Sequence, residues 1–160
     1  MSEQNIEKEQ LYKGVFRAEK KDGTVYYRAS LTKNGKHISL GSFPDALQAH
    51  RAYEQGLLLL SDPSLTLQSY EKVSPLSFEK WVSLINLRDN GLYIGNPIYL
   101  GQQLFYYYLS PHHVLKFDME DLFYYSSHKI MCRGNHYFVD RKSTRLNSSH
   151  RLESRMPSSA

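Results

Sequence analysis

A chain of 160 residues that is 41% hydrophobic and 22% charged holds enough apolar material for one domain, or one domain with a small companion, and too much to stay disordered. Its single cysteine, Cys132, excludes a disulfide framework and fits a reducing compartment. Twenty basic against sixteen acidic side chains, net +4, point toward a polyanionic partner, nucleic acid first.

The start, Met1 to Glu9, is acidic and polar, without the basic flank and apolar run of a signal peptide. No apolar run approaches the roughly 20 residues that a bilayer-spanning helix needs. The expectation is therefore a cytoplasmic protein with no membrane partner.

Residues 12–60 predict three short strands followed by a helix. Lys13 to Arg17 forms a brief first strand, and Asp22-Gly23 makes a turn. Val25 to Thr32 is the second strand, rich in β-formers with alternating character. Asn34-Gly35 is the strongest hairpin signal in the chain, because both positions of that turn need positive φ. Lys36 to Gly41 returns as the third strand. Pro44 opens a helix where a missing N–H costs nothing, and Ala46, Ala49, Tyr53, Gly56, Leu57 and Leu60 recur at helical spacing. Ser61-Asp62-Pro63-Ser64 breaks it.

Strand alternation divides the sheet into two faces. Val15, Tyr27, Ala29, Leu31, Ile38 and Leu40 share the face that the helix covers. Tyr26, Arg28, Ser30, Thr32, His37 and Ser39 share the face left to solvent. A narrow basic β-ribbon suits the major groove of DNA; an ordinary wet sheet face accounts for the same pattern.

Residues 65–139 form a second, aromatic-rich α+β region. A helix is predicted over Ser77 to Leu87, with Phe78, Trp81, Val82 and Ile85 as its core stripe and Gly91 as its stop. Residues 93–138 hold 12 of the 21 aromatics, a density that can stack bases, although Leu104 to Leu109 reads more simply as a buried strand. Asp118-Met119-Glu120-Asp121 reads as an acidic first helical turn with Asp118 as its cap, ahead of a metal or acid–base site. His128, Cys132 and His136, with His112 and His113 upstream, have zinc-ligand chemistry. The Gly134-Asn135 turn splits that set across a hairpin, and Cys132 lacks a positioned base, so no metal, cofactor or catalytic residue is assigned.

From Asp140 the composition shifts to DRKSTRLNSSHRLESRMPSSA, without an aromatic residue. Composition alone reads this as a disordered basic tail. Asp140 to His150 also resembles the translation of a sequencing-library adapter, with Ser154 to Ala160 matching its constant segment in the same frame. Residues 140–160 are therefore expected to be a non-native tail, and the gene's own reading to run out near Val139. The tail carries net +3 and residues 12–60 carry eight basic and four acidic side chains, net +4, so the functional positive charge belongs to the front module.

Tyr12-Lys13-Gly14-Val15, Tyr27-Arg28-Ala29-Ser30-Leu31, Lys36 to Phe43, and the spacing of Ala46, Ala49, Ala52 and Tyr53 together resemble the ethylene-response-factor (Apetala-type) DNA-binding domain. The resemblance is to its prokaryotic and phage versions and covers residues 10–60, a third of the chain. It implies an α+β fold, a three-stranded antiparallel sheet packed on one helix, followed here by a small mixed α/β region. It also implies binding of double-stranded DNA, with Lys13, Phe16, Arg28, Ser30, Thr32, His37 and Ser39 at the groove. Phe16, His37 and Ser39 replace the family's arginines and tryptophans, which thins guanine readout and leaves phosphate contacts from Lys13, Lys20, Lys21, Lys33 and Lys36 dominant.

A second stretch, Val114 to Leu122 followed by the hairpin around Gly134-Asn135 ending at Val139, is similar to the lead-in of HNH homing endonucleases, without their His-Asn-His motif. The expected function is thus DNA binding, of a transcription regulator or the targeting half of a nuclease. The alternatives are an HNH-type endonuclease lacking its catalytic core and a protein-interaction module of a mobile element.

Overall fold

The structure, a computed structural model, describes residues 12–139; the expected non-native tail, 140–160, lies outside the described residues. The chain forms two compact units. The first runs to Ser64 and takes back Glu71–Ser77; the second holds Leu65–Tyr70 and the chain from Phe78 onward.

In the first unit, strands β1 (Val15–Glu19), β2 (Val25–Lys33) and β3 (Lys36–Phe43) form an antiparallel sheet in the order β1-β2-β3. Helix α1 (Ala46–Ser61) packs across all three strands, the architecture expected from residues 10–60. The β2–β3 turn is the predicted one, with Asn34 at φ 53° and Gly35 at φ 78°. The β1–β2 turn is closed by Asp22, whose Oδ1 accepts the Thr24 amide at 2.9 Å.

The first strand starts at Val15 rather than Lys13, since Lys13 and Gly14 form a turn before it. Pro44 is not the first helical residue. Asp45 occupies the N-cap in extended conformation, and its carboxylate accepts the Gln48 amide at 2.8 Å. An exposed donor needs an acceptor, which proline's permissiveness alone does not supply.

Val15, Ala29, Leu31, Ile38 and Leu40 are buried under the helix, as alternation required. Each fully buried aliphatic side chain of this kind contributes about 1.5–3 kcal/mol. The helix answers with Ala49, Ala52, Tyr53, Gly56 and Leu59. Leu57, expected in this stripe, is 42% exposed; Leu59 takes its place, seven residues after the buried Ala52, where two turns of 3.6 residues return to the same face. At Gly56 a β-carbon would lie 2.9 Å from Leu31 Cδ2 and 3.2 Å from Leu40 Cδ1, so helix and sheet meet there almost backbone to side chain.

The second unit is built on β4 (Ile98–Leu100), β5 (Leu104–Ser110) and β6 (His113–Asp118), antiparallel in that order, with α2 (Phe78–Asn90) packed on β4 and β5. Helix α3 (Leu122–Ser127) and the hairpin β7 (Ile130–Arg133)–β8 (His136–Val139) complete it. Gly91 ends α2 as expected, its amide donating to Leu87 O at 2.9 Å. Phe105, Tyr107, Leu115, Phe117, Tyr125, Ile130 and Val139 belong to one core. The expected buried strand at 104–109 is half-buried instead: Phe105 and Tyr107 face the core, while Tyr106 and Tyr108 are partly exposed.

Three polar residues inside α2 and the following loop organise this unit. Asn86, fully buried, donates to Leu92 O (2.9 Å) and accepts from the Leu100 amide (2.9 Å) and Asn90 Nδ2 (2.7 Å). Ser83 reaches the Gly95 and Asn96 carbonyls, and Asn96 Nδ2 donates to Tyr125 O at 2.8 Å. The loop from α2 to β4 thus has its backbone polar groups satisfied by side chains, as burial demands. Arg88 and Trp81 perform the same service for Leu65–Tyr70, donating to Leu65 O at 2.7 Å and Thr66 O at 3.0 Å.

Among the described residues, no helix is long and apolar enough to cross a membrane.

Candidate nucleic-acid interface

The face of the first sheet opposite α1 is built by register. Phe16 pairs with Arg28, Arg28 with Ser42, Ser30 with Ser39, and Thr32 with His37. Six of the seven residues expected at the groove lie on it; Lys13 precedes β1 in an exposed turn. Phe16 is 55% exposed, and Arg28, Thr32, His37 and Ser39 are also exposed. Arg28 makes no side-chain hydrogen bond or ion pair among the described residues, whereas Arg17, on the other side of β1, pairs with Glu19 at 3.3 Å.

Ser30 corrects the expectation of a uniformly open face. It is buried, and it floors a depression of ≈ 260 Å³ whose walls are Phe16, Arg28, His37 and Ser39. Larger side chains on its strand neighbours close over a small central one, which alternation cannot register.

Ser42 is the residue that alternation misses. The register slips between Ala29 and Ser30, so that Ala29 pairs with Gly41 and Ser30 with Ser39. The extra residue, Leu40, is a β-bulge, and it carries Ser42 to the side of Arg28. Gly41, at φ 125° inside a strand pattern, was the available signal.

Lysines stand at both ends of the sheet. Lys20 and Lys21 lie at the β1–β2 turn; Lys33 and Lys36 pair across the opposite end, beside Asn34-Gly35. Eight residue steps along β2 separate the two ends by about 26 Å, and the outer strands stand about 10 Å apart. A B-DNA major groove is about 12 Å wide, a dimension that a ribbon of this width matches. Asp22 sits among the first pair, its carboxyl held below the usual value by hydrogen bonds from Thr24, and offsets part of their charge.

The edge of the sheet is locked to the helix beneath it. Gly14 packs under the Tyr53 ring, His50 stacks between Tyr12 and Tyr53, and His50 Nδ1 lies 3.3 Å from Lys13 O. These contacts hold β1, and with it Phe16, in position.

The second unit offers less. His128 stacks on Tyr124 at 4.1 Å and its Nδ1 meets Tyr124 O at 2.7 Å, while His113 hydrogen-bonds the Tyr137 hydroxyl. His113 and His128 are thus engaged in separate aromatic contacts. Among the described residues, no group of three or more His, Cys, Asp or Glu side chains is arranged to hold a metal ion. Asp118 ends β6 and occupies the expected N-cap position, in extended conformation, ahead of a 3-10 turn (Met119–Asp121) with Glu120 and Asp121 in its first turn, but its side chain makes no capping bond. Burial pushes the Tyr107 hydroxyl well above its ordinary value, and it accepts the Ile130 amide at 3.0 Å, a structural use.

No protein-family model, curated protein or solved structure matches the chain.

Proposed function

We propose that this chain binds double-stranded DNA by laying the β1–β3 sheet in the major groove. The observation that carries the reading is Arg28: an exposed arginine at the centre of a solvent-facing sheet, without a partner among the described residues, flanked by Phe16 and Ser42, with lysines at both ends of the sheet. A guanidinium offers five donors in a rigid fork, matched to guanine O6 and N7, and its pairing is worth about 1–3 kcal/mol of discrimination against other bases. Lys13, Lys20, Lys21, Lys33 and Lys36 supply the sequence-independent attraction. Five such phosphate contacts set a slope of about −4.5 in log affinity against log salt. We read the biological role as site selection on DNA, of the kind a transcription regulator performs.

The test is binding of the full chain to a selected duplex and to a scrambled one at two salt concentrations. Arg28→Ala is expected to narrow the ratio between the two duplexes by about ten- to a hundredfold, leaving the salt slope nearly intact. Lys20→Ala with Lys21→Ala weakens both duplexes alike and reduces the slope by about 2. Binding that ignores Arg28 and salt together refutes sheet docking.

A further inference from the structure

The feature that groove binding leaves unused is Phe16. It is a large apolar ring, 55% exposed, placed directly across from Arg28 in the β1–β2 register, and the two side chains wall the same ≈ 260 Å³ depression. Water-facing phenylalanines need no explanation one at a time; this one stands beside the only arginine of the face, at directly opposed strand positions whose β-carbons lie about 5 Å apart. It cannot hydrogen-bond a base edge, and it adds nothing to phosphate attraction. An apolar group in the major groove has one common apolar counterpart, the 5-methyl group of a pyrimidine, which projects there from thymine and from 5-methylcytosine.

We propose that Phe16 and Arg28 form a paired reading head for a step in which a 5-methyl pyrimidine adjoins a guanine. Arg28 takes the guanine O6 and N7, and the Phe16 ring covers the neighbouring methyl group. Successive base pairs are about 3.4 Å apart along the helix, a spacing that two side chains opposed across adjacent strands can span. The substrate class is then double-stranded DNA rich in TpG or 5-methyl-CpG steps. The Ser30 floor, with the exposed Ser39 and His37 around it, leaves room for the methyl to enter without displacing a core residue. This inference rests on the groove-binding reading above.

The test uses the full chain and four short duplexes: repeated TG steps, the same with deoxyuridine for thymine, repeated CG steps, and the same with 5-methylcytosine. Within each pair only the methyl group differs. One buried methyl converts to about a fourfold change in affinity, so thymine is expected to outbind deoxyuridine, and 5-methylcytosine to outbind cytosine, by about that factor. Phe16→Ala is expected to abolish both differences while keeping the salt slope, and Phe16→Leu, which keeps an apolar tip, to retain part of them. Because Phe16 is exposed, neither variant empties the core. Equal affinity within both pairs, or a methyl preference that survives Phe16→Ala, overturns the inference while salt-dependent binding leaves groove docking standing. Absence of binding to all four duplexes at low salt overturns both.

Discussion

Gly14 is the position where a single methyl group tests how the sheet is held on its helix. Its φ is +80°, and a β-carbon there would lie 2.5 Å from both Cγ and Cε1 of Tyr53 and closer still to Cδ1. Tyr53 is only 9% exposed, so its ring has little room to swing away. Gly14→Ala therefore combines two costs: about 1–2 kcal/mol for a left-handed alanine and about 1–3 kcal/mol for overpacking. Gly23 is the internal control, with φ +91° and nothing within 4 Å of its would-be β-carbon. Gly23→Ala carries the backbone cost alone. The difference between the two variants, about 1–3 kcal/mol, isolates the Tyr53 contact. With two compact units in one chain, a single global midpoint does not define either stability. Native-state hydrogen exchange of the β1–β3 amides reads the first unit by its own protons. Equal loss in the two variants would mean that Tyr53 does not pin β1, and the account of how Phe16 is positioned would fall with it.

Three further outcomes concern the second unit, read by fluorescence of Trp81, the only tryptophan in the chain, during urea unfolding. Asn86→Ala is expected to cost about 2–3 kcal/mol, because it removes a fully buried side chain that bonds the Leu92 carbonyl and the Leu100 amide; a loss under about 1 kcal/mol would show that the α2–β4 loop holds without it. Tyr124→Phe is expected to leave stability unchanged or raise it by up to about 1 kcal/mol, since the Tyr124 hydroxyl is buried without a partner among the described residues. A marked destabilisation would reveal a bond to that hydroxyl. Asp89→Asn is expected to cost about 1 kcal/mol at neutral pH. Asp89 receives Arg88 Nε at 2.7 Å and the Tyr99 hydroxyl at 2.9 Å, and the Arg88 hydrogen bond foremost holds its carboxyl below the ordinary 3.8. A depressed native value means that the contribution is complete above 3.8 and is lost as pH falls from there through the lower native value. Native and variant stabilities should therefore converge in that range; a gap that persists under stronger acid refutes the ionic origin.

Much of the first unit was legible as sequence. The three strands, the Asn34-Gly35 turn and the helix stripe rest on local rules: period 2, paired positive φ and period 3.6, each acting within a few residues. The same rules placed Arg28 on the open face, because they concern side-chain direction and not contact; Phe16 was expected there from the family resemblance. In the second unit the sequence specified α2 and its stop, where an apolar stripe and Gly91 agree. It could not assign partners to Asn86 or Ser83, whose hydrogen bonds reach carbonyls and amides that only folding brings within 3.3 Å.

Tertiary structure decided the rest. The bulge at Leu40 brought Ser42 to Arg28's side, a two-against-one pairing that exists only once β2 and β3 meet. Ser30 is buried among Phe16, Arg28 and His37, which line the same depression, and His113 and His128 are separated by the aromatic ring each one meets. Asp118 kept its N-cap position, on the 3-10 turn between β6 and α3, without a side-chain bond. Charge is the clearest division of labour. Composition determined that residues 12–60 carry net +4; packing of α1 decided which sheet face stays open, and the strand register put Arg28 on it. Net charge is a sum over side chains, whereas a binding face is a choice of which side chains water still reaches.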